Sequence, residues 1–122
     1  MNAELVPGLY IVATPIGNLG DLSARAAHVL SHADVIAVED SRVTAGLLRH
    51  IGTKRPMTPY HDHNADAVRP GLIARMGSEI VALVSDAGTP LISDPGYKLV
   101  REARAAGHQV VTVPGPCAAV AA

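Results

Sequence analysis

The sequence predicts an α/β domain of three layers, in which a mainly parallel five-stranded sheet is covered by helices on both faces. Three observations predict it. Short apolar runs alternate with helical patterns along all 122 residues. Those runs are continuously apolar rather than alternating, as strands buried on both faces are. Helical segments stand between successive runs, which is the βαβ rhythm of a parallel sheet.

Taken in order, Leu9–Ala13 reads as the first strand, followed by a loop over Pro15–Leu22 and a helix over Ser23–His32. Asp21 or Ser23 is placed to cap that helix. Val35–Val38 is the second strand and Arg42–Ile51 the second helix. Met57–Tyr60 forms a weaker third strand. Asn64 stands where it would cap a helix running toward Met76, which Pro70-Gly71 should interrupt. Ile80–Val84 is the fourth strand. A glycine- and proline-rich loop from Ser85 follows it, and then a helix over Gly96–Ala106 that closes on Gly107. Gln109–Val113 is the fifth strand. No repeat, linker or low-complexity tract breaks the pattern. The last segment, Pro114–Ala122, starts a helix of small residues and stops without a cap or basic last turn, so the chain reads as an N-terminal domain (1–122) whose C-terminal partner domain is absent.

Composition narrows the function. Apolar residues make up 48% and charged residues 17%, which describes a folded globule with a sizeable core. Net charge is −1 and the only aromatics are three Tyr, so neither a global basic footprint nor a stacking surface marks the chain as a general single-strand binder. One cysteine, Cys117, precludes an intrachain disulfide and suits a reducing cytoplasm. Neither a signal peptide nor a membrane-length apolar run is visible.

The chemistry-bearing residues gather where strands end, which is where open α/β sheets bind ligands. The richest segment is Ser85–Gly96, with two Gly, two Pro, two Asp and a Thr after the fourth strand. Asp86 and Asp94 either do chemistry or hydrogen-bond their own loop, and bracing is the preferred reading. The loop Thr14–Asp21 after the first strand is neither G-x-G-x-x-G nor a P-loop. Glu39 and Asp40 end the second strand, where they can accept ribose hydroxyls or a proton, or Asp40 and Ser41 can simply cap the next helix. From Ser41 to His61 there are four cations, Arg42, Arg49, Lys54 and Arg55, and no acid. That excess suits a phosphate or merely a solvated face. His61-Asp62-His63 lacks a third ligand at a recognisable spacing, so it reads as a surface turn and no metal site is assigned. Cys117 reads as a small residue at a helix start rather than a nucleophile.

Together, Leu9–Leu19, Glu39–Arg42, Ser85–Gly96 and Val113–Ala118 resemble, in order and spacing, the tetrapyrrole methylase superfamily. The resemblance covers nearly the whole chain. Tetrapyrrole-directed members carry a first loop like Gly-x-Gly-Pro-Gly-Asp. Here the corresponding residues are Ala13, Pro15, Ile16, Gly17 and Asn18, which favours the branch that methylates a cytidine 2′-oxygen of 16S rRNA. The resemblance implies a two-domain enzyme dependent on S-adenosylmethionine, usually a homodimer, acting on the small ribosomal subunit. It implies cofactor contacts at Pro15, Ile16, Gly88, Thr89, Ile92, Cys117 and Ala118. On this reading Asp40 is the base or orienter of the reaction and Arg42 holds phosphate or ribose, while the isolated domain transfers no methyl group. A methyltransferase for tetrapyrroles or other small molecules, and a non-catalytic cofactor-binding or dimerisation module, are the competing readings.

Overall fold

β-Branched and leucine-rich runs with no polar interruption can form stable strands only if both faces are covered, and the computed structural model shows how this chain covers them. It describes residues 5–14, 23–39, 41–86 and 94–113. In chain order the elements are β1 (Gly8–Thr14), α1 (Ala24–His32), β2 (Val35–Val38), α2 (Ser41–Ile51), β3 (Met57–Pro59), α3 (Ala65–Arg75), β4 (Ile80–Asp86), α4 (Asp94–Ala105) and β5 (Val110–Val113).

The five strands form one sheet in the order β3-β2-β4-β1-β5, with every described pairing parallel. From β1 to β3 the connections step in one direction across the sheet, and from β3 to β5 they step back. Right-handed crossovers therefore require the first two helices on one face and the last two on the other. The side chains obey this. Ala26, Val29 and Leu30 of α1 and Leu47 and Leu48 of α2 cluster with Tyr10, Val12, Ile36 and Val38. Ala65 and Leu72 of α3 and Leu99, Val100 and Ala103 of α4 cluster with Leu9, Ile11, Val35 and Ala37. Neighbouring residues of one strand thus belong to opposite cores, the period-two consequence of the pleat. Leu9, Leu30 and Leu99 are fully buried, each worth roughly 1.5–3 kcal/mol of apolar burial.

The helix ends use local chemistry. The Ser23 hydroxyl accepts the Ala26 N–H at 3.1 Å, so Ser23 is the cap of α1. Gly107, at φ +86°, ends α4: its N–H donates to the Arg104 carbonyl and the His108 N–H to the Ala103 carbonyl, both at 3.0 Å. That is the double closure a left-handed glycine permits. Gly52 ends α2 in the same way. Gly8 serves a different need, since a Cβ there would stand 2.6 Å from the Gln109 carbonyl oxygen.

Three expectations change. Pro70-Gly71 does not interrupt α3, which runs unbroken from Ala65 to Arg75 with Pro70 on its exposed side. An interior proline costs about 3 kcal/mol. Burial of Ala65, Leu72 and Met76 against the sheet, with Arg69 tethered beside them, outweighs that cost. Asn64 stands at the start of α3 but its side chain does not cap it. The amide instead accepts from the His61 N–H and donates to the Pro59 carbonyl, both at 2.9 Å, bracing the turn. Finally, Ser85 and Asp86 are the last residues of β4 rather than the start of a loop, paired with Ala13 and Thr14 of β1.

Candidate functional site

Adjacent strands whose outgoing connections cross to opposite faces leave a crevice at their carboxyl ends. β1 leads to α1 on one face, and its neighbour β4 leads to α4 on the other. The crevice therefore opens where Thr14 and Asp86 end their strands side by side. β5 joins it from the far side of β1, with Val113 opposite Val12. Three neighbouring strand ends, spaced about 4.8 Å apart, thus deliver the chain to one rim at residues 14, 86 and 113.

The cofactor contacts expected from the sequence, Pro15, Ile16, Gly88, Thr89, Ile92, Cys117 and Ala118, lie outside the described residues, as does Asp40. Their flanks are described and converge. Glu39, exposed, follows β2, which is the neighbour of β4 on the other side. Arg42 occupies the exposed first turn of α2, two positions after Asp40 in sequence and at the same end of the sheet.

The same end carries a buried polar network that the sequence reading missed. Tyr60 directly follows β3 and is 1% exposed. Its N–H donates to the Val38 carbonyl at 2.7 Å, which extends the β2–β3 ladder to the rim. Its hydroxyl donates to the Pro95 carbonyl at 2.5 Å and accepts from Arg69 Nε at 3.0 Å. Arg69, 7% exposed, also pairs with Asp66 at 3.0 Å and lies 3.7 Å from Glu102. Burial pushes the Tyr60 phenol above its ordinary value of 10.0, against the pull of Arg69. Burial alone would lower Arg69, but its bonds to Tyr60 and Asp66 and the nearby Glu102 charge raise it on balance. Arg69 is a fixed cation and Tyr60 a neutral donor. Their role follows from Pro95, in the first turn of α4: the network ties the start of α4 to β3 and α3. A small polar notch of about 120 Å³ opens beside it, lined by Asp62, Asp66, Arg69 and Lys98. A readable signal existed, since Arg69 stands in the stripe Ala65, Arg69, Leu72, Met76, where helical spacing calls for an apolar residue.

His61-Asp62-His63 forms the expected turn. The His61 and His63 rings meet edge-on at 5.8 Å, and the described residues contain no group of three potential metal ligands. The four cations of the 41–61 stretch do not stay together. Arg42 is at the crevice end of α2, whereas Arg49, Lys54 and Arg55 surround a pocket of about 350 Å³ at the opposite end of the sheet. Among the described residues no helix is long and apolar enough to cross a membrane.

Comparison with known proteins adds an independent line. A family model described as Tetrapyrrole (Corrin/Porphyrin) Methylases matches residues 8–122. A protein named ribosomal RNA small subunit methyltransferase I from Xylella fastidiosa (strain Temecula1) is 59% identical over 118 residues, covering 95% of this chain and 43% of its own length. Its namesake from Mesorhizobium japonicum is 56% identical over 119 residues, covering 97% of this chain and 40% of that protein. The chain thus spans about two-fifths of the length of the curated relatives it matches. Among solved structures, uroporphyrin-III-C-methyltransferase from Thermus thermophilus superposes with a TM-score of 0.65 at 25% identity, over 90% of this chain and 48% of that one. A cobalt precorrin-4 methyltransferase superposes at 0.70 with 21% identity, over 88% and 45% of the two chains, and shows the shared fold.

Proposed function

The chain belongs to the tetrapyrrole methylase family, and from that premise we propose that it forms the N-terminal domain of an S-adenosylmethionine-dependent methyltransferase of small-subunit rRNA. We assign as its acceptor a cytidine 2′-oxygen of 16S rRNA. The observation that carries the reading is the match to relatives named ribosomal RNA small subunit methyltransferase I, 54–59% identical over 93–95% of the chain in the Escherichia coli O157:H7 and Xylella fastidiosa proteins. The two-fifths coverage supports a second domain in the intact enzyme, which would supply the opposite wall of the crevice.

The crevice suits the cofactor on physical grounds. A neutral adenine and a zwitterionic methionine tail can be held by backbone N–H and C=O groups, and the three segments in question follow adjacent strands that end at one rim. In this reading Pro15 and Ile16 line the site from the segment after β1, Gly88, Thr89 and Ile92 from the segment after β4, and Cys117 and Ala118 after β5. The bound cofactor supplies an electrophilic sulfonium methyl group. Arg42 at the head of α2 would orient the acceptor ribose, and the Asp40 carboxylate would take the proton of the 2′-hydroxyl whose oxygen receives the methyl group, the cofactor leaving as its neutral thioether. Placement of the two reactants in line provides most of the acceleration. Tyr60 and Arg69 take no part in the proton transfer, because they are spent on each other and on Pro95. We read the enzyme as a cytoplasmic homodimer.

The test is direct. The full-length protein, incubated with undermethylated 30S subunits and cofactor labelled in its methyl group, should give 2′-O-methylcytidine in 16S rRNA. Label transferred only to a tetrapyrrole, or to no acceptor, would overturn the assignment.

A further inference from the structure

The pocket at the far end of α2 has no role in the crevice, yet its construction is specific. Ala45 and Leu48 of α2 and Met57 at the start of β3 make an apolar floor, and Arg49, Lys54 and Arg55 surround it. Its volume, about 350 Å³, falls in the range of small-ligand sites. Arg55 is held in place, its Nε donating to the Ala33 carbonyl at 2.7 Å. The Arg49 guanidinium lies over Gly46, where a Cβ would come within 3.7 Å of it. Among the described residues no carboxylate pairs with Arg49, Lys54 or Arg55; the ion pairs found involve Arg69 and Arg75. No acid occurs between Ser41 and His61 in a chain whose net charge is −1, so the positive field here is local.

The pocket and the crevice end are linked by one face of α2. Arg42, Ala45 and Arg49 fall at helical spacings of three and four and share one face of α2. Arg42 is at the crevice end, and Arg49 is about 10 Å farther along the axis at 1.5 Å per residue. A strand of nucleic acid that placed its reacting nucleotide at the crevice would lie along α2 and reach the pocket within a few nucleotides.

We propose that this pocket takes a flanking unpaired nucleotide of the RNA substrate, its phosphate on Arg49, Lys54 and Arg55 and its base on Ala45, Leu48 and Met57. Charge complementarity selects a polyanion, and the apolar floor selects a nucleotide over a bare phosphate. The inference rests on the reading of the substrate as rRNA.

Full-length Arg49→Ala/Lys54→Ala enzyme should show an apparent KM for 30S subunits raised about tenfold, kcat within about twofold of wild type, and unchanged cofactor affinity. The slope of log affinity for a 16S rRNA fragment against log salt should shrink by about 1–2. Arg101→Ala/Arg104→Ala on α4 removes the same charge elsewhere and should leave that slope unchanged. Ala45→Leu, which fills the floor but keeps the cations, should weaken RNA binding with the slope retained. An unchanged KM and slope in the first variant, an equal loss in the α4 control, or full affinity in Ala45→Leu would each overturn the proposal. If the wild-type enzyme transfers no methyl group to 30S subunits, the functional assignment fails, and RNA binding by the same variants still decides the pocket.

Discussion

Replacing Tyr60 by Phe keeps the buried ring and deletes only the hydroxyl, which makes it a clean probe of the Pro95–Tyr60–Arg69 tether. The hydroxyl makes two bonds in a nearly water-free setting, one donated to the Pro95 carbonyl and one accepted from the Arg69 guanidinium. A neutral hydrogen bond is worth about 1 kcal/mol and one to a charged group about 1.5–3 kcal/mol, so the substitution should cost about 2–4 kcal/mol. With a urea dependence of about 2 kcal/mol per molar, the unfolding midpoint should fall by about 1–2 M at unchanged slope. Tyr10→Phe is the reference. Its hydroxyl makes two neutral bonds to the backbone of Val6, four residues away and part-buried, and without a charged partner their loss should cost about 1–2 kcal/mol, less than that of Tyr60→Phe. Because the tether holds the first turn of α4, Tyr60→Phe in the full-length enzyme should also weaken cofactor binding. A loss below about 0.5 kcal/mol, or one no larger than that of Tyr10→Phe, would refute the assignment of Tyr60 as the anchor of α4.

Three further outcomes are expected. The chain has no Trp and only three Tyr, so the tyrosinate absorbance of wild type minus that of Tyr60→Phe isolates one phenol. Its midpoint should lie above 10.0, because burial holds the proton. The folded state binds that proton more tightly than the unfolded state, so the associated stability is complete below pH 10 and is lost as pH rises through the folded value; a midpoint at or below 10.0 would contradict the burial. Gly71→Ala should stabilise α3 by about 0.5–1 kcal/mol, since the new Cβ meets nothing within 4 Å; a melting temperature that stays level or falls would show that the glycine has another role. Asp40→Ala in the full-length enzyme should sharply reduce methylation while cofactor affinity stays near wild type, and undiminished methylation would remove Asp40 from the mechanism.

What was legible in the sequence was whatever depended on runs and punctuation. All nine elements of the described residues follow from apolar strands, helical spacing and glycine stops, and Gly107 and Ser23 do what their residue types dictate. Errors came where tertiary contacts overrule a local rule. Pro70 is a helix breaker by intrinsic preference, yet α3 continues because its buried face is anchored around it. Asn64 has a capping side chain, which the turn before it recruits instead. The Tyr60–Arg69–Pro95 network joins residues 9 and 35 positions apart, and no one-dimensional pattern states that they meet. The four cations looked like one patch because adjacency along a chain hides the direction of a helix. α2 carries Arg42 and Arg49 to opposite ends of the sheet.

The strand order has a consequence for how the chain is made. β1 is paired on one side with β4 and on the other with β5, and the nearer of these lies roughly 70 residues downstream. β2 leans on β4 as well, so only the short β2–β3 pair can assemble before residue 80 leaves the ribosome. Until then β1, a strand of nearly unbroken apolar sequence, has no partner strand to join. Parallel pairing at such separation makes folding slow and the nascent chain prone to aggregation. Synthesis of β4 is thus the committing event, and substitutions in its Val81-Ala82-Leu83 centre, which touches both cores, should lower soluble yield more than their equilibrium cost implies.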